Sequence, residues 1–191
     1  MLAVLIITGF LILTVIIVVP YSVRKYSENN NKNKKIVSSP VKKEVVLQAE
    51  QCVYISMTTT KGEMILELRK DLMPVTVNNF LRLVSKKFYN GLLFHRVEPW
   101  LIQSGDPTGT GKGGSERTIP LEISRELKNK KYSIGMARLK DPNSASSQFY
   151  ILKHYVKSLD GQFAVFGTVK KGQDVVLKIE KTDKIIDIKE L

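Results

Sequence analysis

The chain has 191 residues, 43% of them hydrophobic and 25% charged, with a formal net charge of +12. That length holds one domain with a sizeable core plus an appendage, and the composition excludes a collagen-like or wholly disordered chain. The single cysteine, Cys52, excludes an internal disulfide and says little about redox compartment.

The charge is unevenly spread. Residues 1–50 hold seven basic and three acidic groups, leaving 23 basic against 15 acidic, a net +8, for the remainder. Such a balance favours anionic surfaces, nucleic acid or acidic lipid, or is simply a solvated basic face. Lysine outnumbers arginine, and no arginine cluster alternates with aromatics as single-strand binders require, so no nucleic-acid partner is expected.

Leu2 to Val19 is an unbroken uncharged apolar run, about long enough to cross a hydrocarbon core as a helix. No basic residue precedes it, and Val18-Val19-Pro20-Tyr21 offers no small-residue cleavage site, which argues against a cleaved signal peptide. Residues 1–20 are therefore expected to be an uncleaved transmembrane anchor, and the protein a single-pass membrane protein held through residues 2–19. Residues 21–50, with Arg24, Lys25, Lys32, Lys34, Lys35 and Pro40 among Asn and Ser, read as a polar basic linker. The positive-inside rule places the following domain in the cytoplasm. An N-terminal apolar segment is also how many chains are exported, so the side of the membrane stays open.

The pattern changes from Val53, and a globular domain over 51–191 is expected. Cys52 opens an apolar strand pattern, which points to an inert buried thiol. Val53, Ile55 and Met57 alternate with polar residues, Lys61-Gly62 turns the chain, and Met64, Leu66 and Leu68 alternate again, a β-hairpin. Pro74 begins a helical stretch with Val77, Phe80, Leu81, Val84 and Phe88 on one face, ended by Asn90-Gly91. Strands are expected around Phe94 and Arg96, over 134–138, 148–152 and 161–167, and finally over 185–188, with a short helix over 174–180. Many short strands and two helices make a mainly β domain.

Two runs carry chemistry. Residues 94–114 read Phe-His-Arg-Val-Glu-Pro-Trp-Leu-Ile-Gln-Ser-Gly-Asp-Pro-Thr-Gly-Thr-Gly-Lys-Gly-Gly. They set Arg96 on a buried strand, Gln103 seven residues later, and Trp100 and Leu101 between. A second run goes from Met136-Ala137-Arg138 through Asp141-Pro142-Asn143-Ser144-Ala145-Ser146-Ser147-Gln148-Phe149-Tyr150-Ile151. Together the two runs resemble the cyclophilins, peptidyl-prolyl cis-trans isomerases, over about Val53 to the C-terminus. The resemblance implies an eight-stranded antiparallel barrel capped by two helices, and proline-containing polypeptides as partners. No cofactor and no metal is expected, and the protein is expected to be a monomer.

Rotation about a peptide bond is opposed by a resonance barrier near 20 kcal/mol. A catalyst of X-Pro rotation needs a donor for the prolyl nitrogen, an apolar pocket for the ring and anchors for the flanking backbone. The resemblance gives the donor role to Arg96, whose guanidinium presents several N–H groups from a rigid plane. It gives the proline pocket to Trp100, Leu101, Tyr150, Leu159 and Phe163, with Ala137 lining its floor. Gln103 and Gln148 offer amides to the substrate backbone, or make a structural hydrogen bond within the barrel. A proline-peptide-binding chaperone or scaffold with little turnover is the alternative use of the same groove.

The chain departs from familiar members. One residue is missing between Pro99 and Trp100, Trp100 stands where phenylalanine is usual, and Ser104 replaces a glycine. Ser158 stands where many eukaryotic members have tryptophan, and Phe163 where histidine is frequent. These features look like the short prokaryotic-type branch. Two other motifs are rejected. Gly109-x-Gly111-x-x-Gly114 satisfies the dinucleotide fingerprint only formally, since nothing after it begins a long helix. Gly111-Lys112 lacks the earlier glycine and the following Ser or Thr of a phosphate loop. His95 and His154 have no ligand-spaced partners.

Overall fold

The computed structural model describes residues 52–191. The expected anchor and linker, residues 1–50, lie outside the described residues. Among those described, no helix is long and apolar enough to cross a membrane.

Eight strands form one antiparallel sheet: β1 (Cys52–Thr59), β2 (Gly62–Arg69), β3 (Arg96–Val97), β4 (Leu101–Ser104), β5 (Ser133–Met136), β6 (Phe149–Leu152), β7 (Val165–Lys171) and β8 (Ile185–Glu190). Their order across the sheet is β3-β4-β6-β5-β7-β2-β1-β8. The sheet curls into a half-barrel. Its two edges are drawn together by a bridge between Leu93 and Lys184, next to the Gly91 and Phe94 N–H groups that donate to Ile185 and Asp183. The hairpin β1–β2 forms where alternation placed it, with Ile55, Met57, Met64, Leu66 and Leu68 fully buried. Cys52 is half-buried rather than buried, and desolvation, with the Glu67 carboxylate nearby, raises its thiol pKa.

Two helices pack on this sheet, α1 (Pro74–Ser85) and α2 (Gln173–Lys178). Helix α1 is shorter than the periodicity predicts. It ends at Ser85, and Phe88 lies beyond it. The Lys87 N–H donates to Val84 and the Phe88 N–H to Leu83, with Lys87 at φ 54°. This is a Schellman stop built on a lysine in the left-handed region instead of glycine. The buried face is Thr76, Val77, Asn79, Phe80, Leu83 and Val84; Leu81 is only half-buried. Phe80 drives the docking. Its ring centroid lies 4.9 Å from Tyr89, 5.5 Å from Phe149 and 5.3 Å from Phe166, and burial of such a ring contributes about 1.5–3 kcal/mol.

The strand expected over 161–167 also shifts, to Val165–Lys171. Gly161 has φ 73°, and the Gln162 N–H donates to Leu159, so this stretch is a turn. The glycine-rich stretch after β4 is irregular and opens no helix.

Candidate functional site

The register of the sheet builds the site. Arg96 pairs with Gln103, Gln103 with Tyr150, and Tyr150 with Gly135. These four residues form one row across β3, β4, β6 and β5. The next row, Val97, Ile102, Ile151 and Ile134, carries the alternate side chains. Successive side chains on a strand point to opposite faces. Ile102, Ile151 and Ile134 belong to the main core, so the Arg96 row faces outward.

Outside the sheet a second, smaller apolar cluster forms from Leu101, Tyr150 and Leu152, with Trp100, Ala137, Val156 and Phe163 packed against it. It leaves a cavity of about 190 Å3 lined by Arg96, Trp100, Leu101, Gln103, Ala137, Arg138, Tyr150, Leu159 and Phe163. Eight of the nine residues singled out from sequence meet here. The ninth, Gln148, lies beside a neighbouring cavity of about 270 Å3, which shares Gln103, Ala137 and Arg138 with the first.

Close approach fixes the floor. A Cβ on Gly135 would stand 2.3 Å from the Tyr150 ring and hydroxyl, so only glycine lets that ring lie across β5. The Tyr150 hydroxyl donates to Asn129 Oδ1 at 2.6 Å, and the Asn129 backbone N–H donates to Asp160. Burial, reinforced by the Asp160 charge, pushes the Tyr150 phenol well above its ordinary pKa. Phe163 meets Tyr150 edge-on, centroids 6.1 Å apart.

Arg96 is not buried, contrary to the expectation of a buried strand. β3 is an edge strand, and the Arg96 side chain is 44% exposed at the rim of the cavity. Its guanidinium stacks over Trp100 at 5.1 Å, and Nη1 donates to Gln103 Oε1 at 3.3 Å. The Glu98 carboxylate stands 3.7 Å from Nε, an exposed pair of little energetic weight.

The two glutamines continue this contact inward. Gln103 Nε2 donates to Gln148 Oε1 at 2.7 Å, and Gln148 Nε2 donates to the carbonyls of Gly111 and Gly113 at 3.0 and 2.7 Å. The Gln148 amide thus holds the glycine loop and is directed away from the apolar cavity. Asp106 clamps the same loop from behind, accepting from the Thr108 N–H and hydroxyl and from the Gly111 N–H. Desolvation pushes the Asp106 pKa up, but these hydrogen bonds outweigh it and hold the pKa at about 2. His95 packs beneath the loop. Both of its ring nitrogens are enclosed without a partner among the described residues, and desolvation lowers its pKa, partly opposed by Asp106. His95 is thus a packing group of the site.

Sequence reasoning named neither Arg138 nor Asn129 as a site residue. The Arg138 guanidinium lies 4.7 Å over the Phe163 ring, and its Nε and Nη2 donate to the Gln162 carbonyl. Its place directly after Ala137 in the second run was an available signal. Asn129 had none, because only the fold brings it to Tyr150.

Three comparisons bear on this geometry. A family model described as cyclophilin type peptidyl-prolyl cis-trans isomerase/CLD matches residues 54–189. Peptidyl-prolyl cis-trans isomerase-like 1 of Gibberella zeae is 38% identical over 129 residues, 65% of this chain and 80% of that protein. Peptidyl-prolyl cis-trans isomerase-like 2 of Rhizopus delemar is also 38% identical, over 66% of this chain but only 25% of its own length. Among solved structures, a Cryptosporidium parvum cyclophilin type peptidyl-prolyl cis-trans isomerase superposes with a TM-score of 0.70 at 30% identity, covering 73% of this chain and 98% of that one. The same protein was crystallised in the presence of the dipeptide Ala-Pro, with a TM-score of 0.68 at 31% identity, covering 72% of this chain and 98% of that one.

Proposed function

The chain belongs to the cyclophilin-type peptidyl-prolyl cis-trans isomerase family, and we propose that Arg96 is the catalytic group of its isomerase site. In a planar amide the nitrogen lone pair is delocalised and accepts no hydrogen bond. As the bond twists, the lone pair localises on nitrogen. A guanidinium N–H aimed there stabilises the twisted state far more than the planar one, which is what lowers a barrier. Arg96 stands at the mouth of an apolar cavity with one N–H held by Gln103 and its plane held by Trp100. That single arrangement carries the assignment.

The remaining roles follow from position. Trp100, Leu101, Ala137, Tyr150, Leu159 and Phe163 hold the proline ring. Gln103 is a positioning residue for Arg96, and Gln148 positions the loop beyond it. The substrates are proline-containing polypeptides, and the protein acts as a monomer without metal or cofactor in assisting their folding. Catalytic amounts of the full chain are expected to speed the proline-limited slow refolding phase of a test protein in proportion to the chain added. A slow phase unchanged by the chain contradicts the proposal.

The departures at Trp100, Ser104, Ser158 and Phe163 support a place in the short prokaryotic-type branch. The apolar run Leu2–Val19 and the basic linker behind it support a tethered enzyme. Burying eighteen uncharged residues in lipid is strongly favourable, so the full chain is expected to stay in the membrane pellet through high-salt and carbonate washes. A fragment over 51–191 is expected in the supernatant. Release of the full chain by carbonate, or a mature protein beginning just after Pro20, contradicts the anchor.

A further inference from the structure

The cavity beside the proline pocket has an unusual wall. Among the described residues, the charged side chains lining it are Lys112 and Arg138, and no carboxylate lines it. Arg138 stands at the boundary, since it lines both cavities. It is a fixed cation. Two of its nitrogens donate to Gln162, and Nη1 donates to the carbonyls of Leu139 and Lys140 at 2.9 and 3.3 Å. Every one of those acceptors is a neutral backbone carbonyl, and no ion pair among the described residues uses Arg138 or Lys112.

Lys112 is held from its backbone. Residues 111 and 113, on either side of it, are the two whose carbonyls Gln148 grips, and Asp106 grips the Gly111 N–H. The lysine therefore projects from a fixed loop. Asp106 makes no ion pair with it: that residue is 1% exposed, and its carboxylate accepts from N–H and hydroxyl donors of the loop. Ser146 also lines this cavity, and its hydroxyl has no hydrogen-bond partner among the described residues.

We propose that this second cavity selects proline peptides carrying an aspartate or glutamate close to the proline. The inference rests on the isomerase reading given above and adds the substrate class. The two cavities share three wall residues, so a chain with its proline in the first can reach the second only through a residue one or two positions away, at about 3.3–3.6 Å per residue. A carboxylate there meets two cations that make no ion pair, and a hydroxyl without a partner, among the described residues. A lysine there meets like charge.

The test uses the full chain in neutral detergent and three peptide series around one Ala-Pro bond. Glu, Gln or Lys is placed in turn at each of the two positions on either side, and catalysed cis–trans exchange is measured by NMR, which needs no coupling protease. At one position the Glu peptide is expected to exceed the Lys peptide in kcat/KM by about fivefold or more at low salt. The ratio falls toward one in 1 M salt, where the Debye length is about 3 Å. Lys112→Glu is expected to reverse or erase the ratio. Equal kcat/KM across Glu, Gln and Lys at every position overturns this inference alone, as does a ratio untouched by both Lys112→Glu and Arg138→Gln. Absence of catalysed exchange with all the peptides overturns the isomerase reading and this inference with it.

Discussion

Arg96→Ala lowers kcat/KM for an Ala-Pro peptide by at least about tenfold, a loss of about 1.4 kcal/mol of transition-state stabilisation. The reason is the difference between states. In the planar ground state the prolyl nitrogen offers nothing to a donor, so removing the guanidinium costs little binding. In the twisted state it removes the hydrogen bond that forms only there. The loss therefore appears mainly in kcat. Structure is expected to survive, because Arg96 is exposed on an edge strand, where among the described residues its side chain bonds to Gln103, stacks on Trp100 and faces Glu98. Thermal unfolding and the amide spectrum serve as controls. Wild-type kcat/KM in a folded Arg96→Ala protein contradicts the assignment.

Gly105→Ala is expected to be the most damaging single change near the site, costing about 3 kcal/mol or more of stability. Gly105 follows β4 at φ 93°, and a Cβ there would stand 2.3 Å from the Ser147 carbonyl oxygen and 2.9 Å from Gln148 Cα. Neither obstacle is a flexible side chain. The segment 146–148 cannot retreat easily, since Asn79 of α1 donates to the Ser146 carbonyl and the buried Tyr89 hydroxyl to that of Ser147. Relief has to come by prising β4 from β6, which separates Gln103 from Gln148. Chemical denaturation reports the first effect, and kcat/KM in the surviving folded fraction the second. A Gly105→Ala protein with wild-type midpoint and activity contradicts this packing.

Different parts of the molecule were legible in the sequence to different degrees, for physical reasons. The hairpin β1–β2 was legible because it is half-buried, so its alternation of Met64, Leu66 and Leu68 with polar residues is written by burial itself. The end of α1 was not. Phe88 continues the helical spacing, and the stop rests on Lys87 taking a left-handed conformation that composition does not signal. The start of β7 was misplaced because Phe163 and Ala164 are apolar for the satellite cluster and the core, not as members of a strand.

Within the site, Arg96, Trp100, Leu101, Gln103, Ala137 and Tyr150, which line one cavity, stand in the two motif runs, whereas Leu159 and Phe163 of the same cavity lie outside both. Their mutual geometry was not legible, because it depends on register. A one-residue shift of β4 against β3 would turn Gln103 away from Arg96. The exposure of Arg96 follows from β3 lying at the sheet edge, a property of strand order. The role of Gln148 as a loop clamp depends on Gly111 and Gly113, some 35 residues away in sequence. Asn129, which holds the Tyr150 hydroxyl, is visible only once the fold is known.

This groove is expected to turn proline peptides over and not merely to hold them. Two-dimensional NMR exchange on an Ala-Pro peptide separates these directly. Uncatalysed interconversion takes tens of seconds or longer, so the free peptide shows separate cis and trans resonances without exchange peaks on a sub-second mixing time. With a substoichiometric amount of the full chain, exchange peaks between the two forms are expected, and Arg96→Ala is expected to suppress them while leaving binding shifts in place. Binding shifts with no exchange peaks in the wild-type protein would instead identify a proline-peptide-binding module and contradict the isomerase account.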